Sequence, residues 1–421
     1  MATSAPASMP TTRFADLQTA VSGDTAALRC RRRLQPVGGA GDKIFPPTYP
    51  GERNNDPPRH VFERRRINGQ EIWCVLVDSV QSQANRLEES LLLAMRGGNL
   101  EMPYVTVDFR DAKLAGITEI TSLEAPHRVY DAILRDSRLG NVKFPESELG
   151  QRLTKASNSD ASALLETSPT SLLFGVWNST GQGGGLGAKF ARCLTSEIVA
   201  IHVPTEENIN PRTGELTGEV KTAGRRTGSR IDPLGILKAV KVYKGESDWD
   251  INEKGAGKKA KPVRPSEINH GNIPPTIEPL GVTCDFIEHM FVLSLTAIRR
   301  LHFGSPEKDT AGHTYLAALG MLAYAEQEAR GYALRSRCDL ICEGHAPLEW
   351  VKADGSTTGA AFNREAAKNL YTEALQRARN AGFKLPAEPI KLQPQDKLVE
   401  IIRQSQNRAL QGQADEESRE E

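Results

Sequence analysis

One segment constrains the fold of this chain more than any other, because it predicts a strand, a helix and a second strand in immediate succession. Residues 72–77 form a continuous apolar run typical of a buried strand. Asp78 or Ser79 then caps a helix. Its apolar positions recur at alternating steps of four and three: Val80, Ala84, Leu87, Leu91 and Met95. Residues 104–109 are the second strand. The unit predicts a fold that mixes helices with strands.

The rest of the chain divides by pattern into three parts. Residues 1–60 mix Pro, Gly and Arg with little periodicity, which predicts an irregular basic arm. Residues 61–390 hold the periodic segments and therefore the core. A polar extension at about 204–279 interrupts them, and its PRTGELTGE run predicts a hairpin tip. Residues 391–421 are predicted to be an acidic, disordered tail.

Several further elements follow from spacing. Residues 127–139, 154–170 and 310–330 are predicted helices, and residues 332–342 alternate as a strand does. Asn363 caps a last amphipathic helix over 364–381, which Gly382 ends. Residues 283–303 are apolar and remain ambiguous between strand and helix. Residues 239–243 resemble a strand.

Composition excludes some classes of protein. The chain has 421 residues, enough for a real core, and its 53 basic residues are balanced by 53 acidic ones. It contains no run of eighteen uncharged apolar residues, and its start lacks the charge and apolar core of a signal peptide. We therefore expect a cytoplasmic protein without membrane contact.

The six cysteines predict no metal site. They are scattered in a chain too large to depend on disulfides, so reduced thiols are expected. Cys338, Cys342 and His345 lie close together in sequence, but a structural zinc site needs a fourth ligand that ordinary spacing does not supply.

Residues 172–203 predict an apolar strand, a glycine-dense loop, a short basic segment and a second strand in succession, and the loop is the strongest functional signal. Glycines at 181, 183, 184, 185 and 187 let another molecule approach the backbone and leave amide N–H groups free to face an anion. Lys189 and Arg192 follow at once. Contact with phosphates is the expected function, and a plain glycine-rich turn is the alternative.

Two nucleotide motifs fit this loop poorly. A P-loop needs Ser or Thr after its lysine, whereas Phe190 follows Lys189. A dinucleotide fingerprint can be placed on Gly183, Gly185 and Ala188, but the acidic residue expected about 20 positions later falls in a polar loop. A dinucleotide-dependent enzyme using Gly181–Gly187 stays as the alternative function.

Basic residues cluster along the chain despite its zero net charge, as a groove that follows phosphates would need. Ordinary solvated charge is the alternative for each cluster. The clusters are Arg29, Arg31, Arg32 and Arg33; Arg64, Arg65 and Arg66; Arg225, Arg226 and Arg230; and Lys258, Lys259, Lys261 and Arg264.

Five motifs in order resemble one family. They are GVWNSTGQGGGLGAKFARCLTSEI (175–198), TGSRIDPLGI (227–236), PSEINHGNIPP (265–275), LSLTAIRRLHF (293–303) and GYALRSRCDL (331–340). Together they closely resemble the backbone RAMP subunit of type I-G CRISPR effector complexes, formerly called type I-U, over about residues 60–385.

This resemblance implies an α+β fold with an RRM-like (ferredoxin-like) core and large insertions. It implies that copies of the chain line up along a CRISPR RNA, beside other subunits of the effector complex, and hold the guide for pairing with target DNA. It implies neither catalysis nor a cofactor in this subunit. The 204–279 extension is the candidate for the hairpin "thumb" of related subunits. The type III counterpart cuts RNA with a loop aspartate, for which Asp232 and Asp285 are only superficial matches.

Single-stranded RNA held without sequence preference needs cations at phosphates and close main-chain approach. The predicted RNA-binding residues are Gly183, Gly184, Gly185, Gly187, Lys189, Arg192, Arg225, Arg226, Ser229, Arg230, Asn269 and His270. Arg230 could equally pair with Asp232. Asn269 and His270 are slightly more typical of a turn. Trp177 is a possible stacking platform, although a tryptophan on a strand is more often in the core.

Overall fold

The computed structural model describes residues 11–51, 58–179, 187–209, 216–219, 226–230, 234–237, 239–245, 248–257, 260–270, 273–278, 280–344 and 348–410. Its contacts divide the chain into two compact units, each assembled from three stretches of sequence. The first unit draws on Met1–Ala40, Leu76–Ile201 and Asp285–Glu400. The second draws on Gly41–Val75, His202–Cys284 and Ile401–Glu421.

Helices and strands follow one another along both units. The helices are α1 (Phe14–Ser22), α2 (Val80–Arg96), α3 (Ala132–Arg135), α4 (Glu148–Thr154), α5 (Ser162–Thr167), α6 (Pro169–Phe174), α7 (Glu253–Ala256), α8 (Leu295–Ile298), α9 (Pro306–Arg330), α10 (Arg364–Asn380) and α11 (Asp396–Leu410). The strands are β1 (Thr25–Pro36), β2 (Phe62–Ile67), β3 (Gln70–Asp78), β4 (Val105–Asp108), β5 (Glu119–Thr121), β6 (Ser137–Leu139), β7 (Val142–Lys143), β8 (Val176–Trp177), β9 (Lys189–Phe190), β10 (Leu194–Ile201), β11 (Glu206–Ile209), β12 (Leu216–Glu219), β13 (Arg226–Arg230), β14 (Val242–Lys244), β15 (Trp249–Asp250), β16 (Lys261–Val263), β17 (Ile273–Glu278), β18 (Phe286–Ser294), β19 (Tyr332–Ala333), β20 (Asp339–Cys342), β21 (Leu348–Lys352), β22 (Thr357–Ala360) and β23 (Ile390–Pro394).

The first unit is built on an antiparallel sheet in which β19, β20, β1, β18 and β10 are neighbours in that order. The other end of β1 pairs with β21, which in turn pairs with β22. Helices α2 and α9 contact each other, and they contact β10 and β18 respectively. The chain thus mixes helix and antiparallel sheet, which confirms the α+β class.

The predicted irregular arm is wrong for the residues that form α1 and β1. Alternate residues of β1 are buried, namely Leu28, Cys30, Arg32 and Leu34. The period of two was hidden because Arg32 occupies a buried position, where it pairs with Glu328 and lies beside the Tyr324 ring. A paired arginine can be buried although its charge makes the position read as exposed.

The predicted disordered tail is also wrong up to residue 410. Strand β23 pairs in parallel with β4, with Ile390 opposite Val105, and α11 follows it directly. The strand was missed because its short sequence finds its partners almost 300 positions earlier in the chain. The acidic end, residues 411–421, lies outside the described residues.

Local signals predicted other elements correctly. The strand, helix and strand at 72–109 are confirmed as β3, α2 and β4, with the Ser79 hydroxyl accepting from the Ser82 amide at 3.2 Å. The helix capped by Asn363 is confirmed as α10, and the hairpin around the PRTGELTGE run is confirmed by the pairing of β11 with β12. Residues 172–174, expected to be a strand, instead end α6. Residues 127–139, expected to be one helix, hold a 3-10 turn, the short α3 and strand β6.

The second unit contains small sheets. Strands β2 and β3 pair from Phe62 opposite Val75 to Ile67 opposite Gln70. Strand β14 lies between β15 and β16, and β13 pairs with β17. Among the described helices of either unit, none is long and apolar enough to cross a bilayer.

A buried histidine lies in the first unit's main sheet. The His289 ring lies 2.7 Å from the Ser196 hydroxyl through Nε2 and 3.1 Å from the Tyr332 hydroxyl through Nδ1. Burial, with a contribution from Arg32, lowers the pKa of His289 to about 3. The ring is therefore neutral in the folded protein at neutral pH.

We expect His289 to contribute to acid unfolding. Since its folded pKa lies below the ordinary 6.5, its contribution is complete above pH 6.5 and is lost as pH falls toward 3. The wild type should lose up to about 1.4 kcal/mol of unfolding free energy per pH unit from this group. Denaturant titrations should show a shallower dependence in His289→Gln, whereas the exposed His127→Gln should keep the wild-type slope. Equal slopes in both variants would contradict this assignment.

Candidate nucleic-acid interface

The glycine loop starts and ends on a two-stranded antiparallel ribbon. Strands β8 and β9 pair with Trp177 opposite Lys189, and the Asn178 amide donates to the Ala188 carbonyl at 2.8 Å. A Cβ at Gly187 would come within 2.0 Å of the Asn178 carbonyl oxygen, so this position needs glycine. Gly181, Gly183, Gly184 and Gly185 lie outside the described residues.

Trp177 and Lys189 form an exposed aromatic and cationic pair on this ribbon. Trp177 is 47% exposed, so the interpretation of this side chain as core is wrong. The Lys189 ammonium nitrogen lies 5.0 Å from the centre of the Trp177 ring. An exposed ring beside a cation offers a base something to stack on and a phosphate something to pair with.

A buried ion pair lies beneath the ribbon. The Arg128 guanidinium donates to both Glu88 carboxylate oxygens, at 2.8 and 2.7 Å, and its third contact is the Gly175 carbonyl at 3.1 Å. Burial raises the pKa of Glu88 to about 7, against the opposing effect of Arg128. The pair connects α2 to the residue that immediately precedes β8.

Arg192 contacts the residue next to Gly175, just before β8. Its Nε donates to the Phe174 carbonyl at 3.0 Å, and burial, with the nearby Arg128 charge, lowers its pKa. Gly175 has a φ of 79°, and a Cβ there would lie 2.8 Å from Arg192 Cγ. The described contacts of Arg192 thus hold the start of the ribbon, and its predicted contact with RNA stays a prediction.

The other predicted binding residues belong to the second unit. Arg226, Ser229 and Arg230 form part of the β13 backbone, which pairs with β17 so that Arg230 stands opposite Ile273. Arg225 and Asp232 lie outside the described residues, so the proposed Arg230–Asp232 pair does too.

Asn269 and His270 follow a 3-10 helix. Asn269 ends that helix in the left-handed region, with φ of 61°, as the turn interpretation predicts. The His270 ring packs edge-on against Trp249 with ring centres 5.7 Å apart, and Trp249 is 40% exposed. His270 therefore belongs to a small exposed aromatic pair of the second unit.

Two of the predicted basic clusters are largely neutralised by acids. Arg29, Arg31 and Arg32 pair with Glu349, Glu288 and Glu328. Arg64 pairs with Glu71, and Arg65 with Glu63. A groove that binds phosphates needs cations that are not already paired with carboxylates, so these clusters contribute less to it than the sequence indicated.

The loop lacks the frame of a dinucleotide site. A dinucleotide fold needs a strand before its glycine loop and a helix after it. Here the two-residue strand β8 precedes the loop, but the described residues from 187 to 201 form strands β9 and β10 where a helix is needed.

Among the described residues, no group of three or more His, Cys, Asp or Glu side chains is placed to hold a metal ion. His345 lies outside them, and burial raises the pKa of the Cys338 thiol to about 11.

Sequence reasoning missed the residues that support the loop. Glu88 and Arg128 lie 40 positions apart, and each reads as an ordinary charged residue. The exposure of Trp177 had no signal in the sequence either, because it depends on how β8 turns its side chains: Val176 and Asn178 on either side are buried.

Comparison with known proteins adds one finding. Residues 28–205 match the family model described as CRISPR-associated protein GSU0053. The matched range contains the whole glycine loop, its ribbon and the Glu88–Arg128 pair, whereas residues 225–270 lie beyond it. No curated protein matches the chain.

Proposed function

Since residues 28–205 match the family model of CRISPR-associated protein GSU0053, we propose that the chain is a member of that family and a non-catalytic backbone subunit of a type I-G effector complex. In this proposal copies of the chain bind CRISPR RNA side by side in the cytoplasm, with other subunits of the complex, and present the guide for pairing with target DNA. The exposed Trp177–Lys189 pair at the base of the glycine loop is the observation that carries the RNA-binding part.

The order of elements in the first unit supports an RRM-like core. Six of its elements occur along the chain in the order β1, α2, β10, β18, α9 and β20, with other segments between them. In the sheet the four strands lie in the order β20, β1, β18, β10, all antiparallel. Both orders, along the chain and across the sheet, agree with a ferredoxin-like βαββαβ unit in which β3 and the other segments are insertions. RRM domains use such a sheet to bind single-stranded RNA.

The extension at 204–279 is our candidate for the thumb. It falls almost entirely within the stretch His202–Cys284 of the second unit, and it carries the β13 arginines and the Trp249–His270 pair. Arginines in the sequence of this segment and a partly exposed aromatic pair are suited to a segment that separates stacked bases.

Replacing Trp177, the proposed stacking platform, should weaken the binding of RNA of any base sequence. We expect Trp177→Ala to raise the Kd for single-stranded RNA by roughly tenfold to a hundredfold, because stacking on one aromatic ring contributes about 1–3 kcal/mol. Lys189→Ala should make the negative slope of log K against log salt shallower by about 0.7, the value for one phosphate contact on a single strand. Fluorescence anisotropy with guide-length RNAs of several sequences, at a series of salt concentrations, measures both.

Two control variants sharpen this test. Trp177→Phe keeps an aromatic face and should retain most of the affinity, and Lys155→Ala removes an exposed lysine elsewhere in the first unit. If Trp177→Ala and Lys189→Ala bind RNA with the wild-type affinity and salt slope, the loop base is not the RNA site. Sedimentation with RNAs of increasing length tests the assembly, since the number of bound copies should rise with length.

A further inference from the structure

A cavity of about 300 Å³ lies in the first unit next to the ribbon. Its walls come from the segment before α3, from residues 143–154, from Asn178 and from the chain between β23 and α11. The volume is at the lower end of the range for small-molecule pockets. It is large enough for one heterocyclic ring system with little beyond it.

The Asn178 carboxamide is the unusual group in this wall. The residue is only 7% exposed and lines the cavity, yet none of the described residues hydrogen-bonds its side chain. Within the described residues its backbone amide is the group that is engaged, through the Ala188 carbonyl. The carboxamide atoms are not among the fully buried unpaired atoms of the described residues, so they keep accessible surface at the cavity and can pair with a matching edge of a ligand.

The charged residues of the wall point to an uncharged ligand. Arg135 and Lys397 both contact Asp136, at 3.1 and 2.6 Å, and Lys143 contacts Glu146 at 3.1 Å. Asp131 lines the same wall, so the three cations are balanced by three carboxylates, and the cavity offers a phosphate or a carboxylate little net attraction.

The remaining wall is apolar and partly aromatic. Phe144 is buried, Val129 and Leu153 line the same space, and the Tyr130 hydroxyl donates to the Leu153 carbonyl at 2.7 Å. A flat, uncharged ring therefore finds apolar faces here, and an edge with an adjacent donor and acceptor can pair with the carboxamide. Asparagine makes such paired hydrogen bonds to nucleobase edges.

We propose that this cavity binds a nucleobase through the Asn178 carboxamide. The base belongs either to a bound RNA strand or to a free nucleoside, and the assignment to RNA rests on the proposed function. Trp177 and Asn178 are successive residues and point to opposite sides of the ribbon, which agrees with their exposed fractions of 47% and 7%. The base in the cavity is thus a different one from the base stacked on Trp177.

The experiment compares Asn178→Ala and Asn178→Asp with the wild type and with the exposed control Asn158→Ala. Isothermal titration with adenosine, cytidine, guanosine and uridine, each used alone, should show saturable binding of at least one nucleoside to the wild type and the control. Asn178→Ala should weaken it about tenfold, as expected for the loss of a paired hydrogen bond. Asn178→Asp keeps the shape but accepts only, so it should change the order of preference among the four nucleosides.

RNA titrations of the same variants identify the source of the base. Weaker RNA binding by Asn178→Ala assigns the cavity to a base of the strand, and unchanged RNA binding with weaker nucleoside binding assigns it to a free nucleoside. If no nucleoside binds and Asn178→Ala binds RNA as the wild type does, the inference is overturned. The proposed function still stands in that case if Trp177→Ala weakens RNA binding, and it fails separately if Trp177→Ala does not.

Discussion

Replacing Arg128 with alanine should lower the free energy of unfolding by about 3–5 kcal/mol, the cost of leaving one partner of a buried ion pair alone. Glu88 is 1% exposed and receives both of its charge-assisted hydrogen bonds from Arg128. Without that guanidinium the carboxylate has to take up a proton, and the Gly175 carbonyl loses its donor too. Urea titration followed by circular dichroism measures the loss.

Two comparisons separate the buried pair from a surface effect. Arg110 pairs with Asp108 but its side chain is 62% exposed, so Arg110→Ala should leave the unfolding free energy nearly unchanged. The double variant Glu88→Leu with Arg128→Leu should be clearly more stable than Arg128→Ala, because it leaves no unpaired charge in the interior. A cost for Arg128→Ala no larger than that for Arg110→Ala would contradict the role assigned to this pair.

The same substitution should also affect the predicted RNA site. Arg128 contacts the residue that precedes β8, so its loss frees the start of the ribbon that carries Trp177. RNA binding by Arg128→Ala should weaken even under conditions in which the protein stays folded. This links an interior charge pair to the surface it positions.

What the sequence predicted correctly was local. The Ser79 and Asn363 caps, the helical spacing of α2 and the β11–β12 hairpin are all specified by residues a few positions apart. Short-range spacing and capping chemistry act before any tertiary contact forms, so a pattern can reveal them.

What it missed depends on partners far away in the chain. Arg32 reads as exposed until Glu328, 296 positions later, neutralises it, and the central strand β1 was missed for that reason. Arg128 and Glu88 are hidden in the same way. In the candidate site, the prediction of Lys189 came from its position directly after the glycine loop, whereas the exposure of Trp177 is set by how a two-residue strand turns its side chains.

The long-range contacts of the first unit converge on one polar network. The Gln83 side chain donates to Asp78 at 2.7 Å, and its oxygen accepts from Ser196 at 2.8 Å and from Gln327 at 3.1 Å. Ser196 in turn contacts His289. The network joins α2, β10, β18 and α9, so the geometry of the proposed RRM-like core depends on side chains that satisfy one another's hydrogen bonds.

Asp78 is the charged end of this network, and Asp78→Ala should cost about 3–5 kcal/mol of unfolding free energy. Its carboxylate is fully buried and accepts from Arg86 Nε at 2.9 Å and from Arg335 at 3.2 Å, besides Ser82 and Gln83. Both arginines keep a backbone carbonyl partner, at Leu334 and Val77, so they remain in place as unpaired cations once the carboxylate is gone.

Asp78→Asn provides the matched comparison, because it keeps the shape and one acceptor oxygen but removes the charge. We expect it to lose about half as much stability as Asp78→Ala, whereas the exposed Asp354→Ala should leave the unfolding free energy nearly unchanged. Urea titrations of the three variants decide between them. If Asp78→Ala were as stable as Asp354→Ala, the two arginines would have to be satisfied by their carbonyl contacts alone, and the network would not hold α2 in the core.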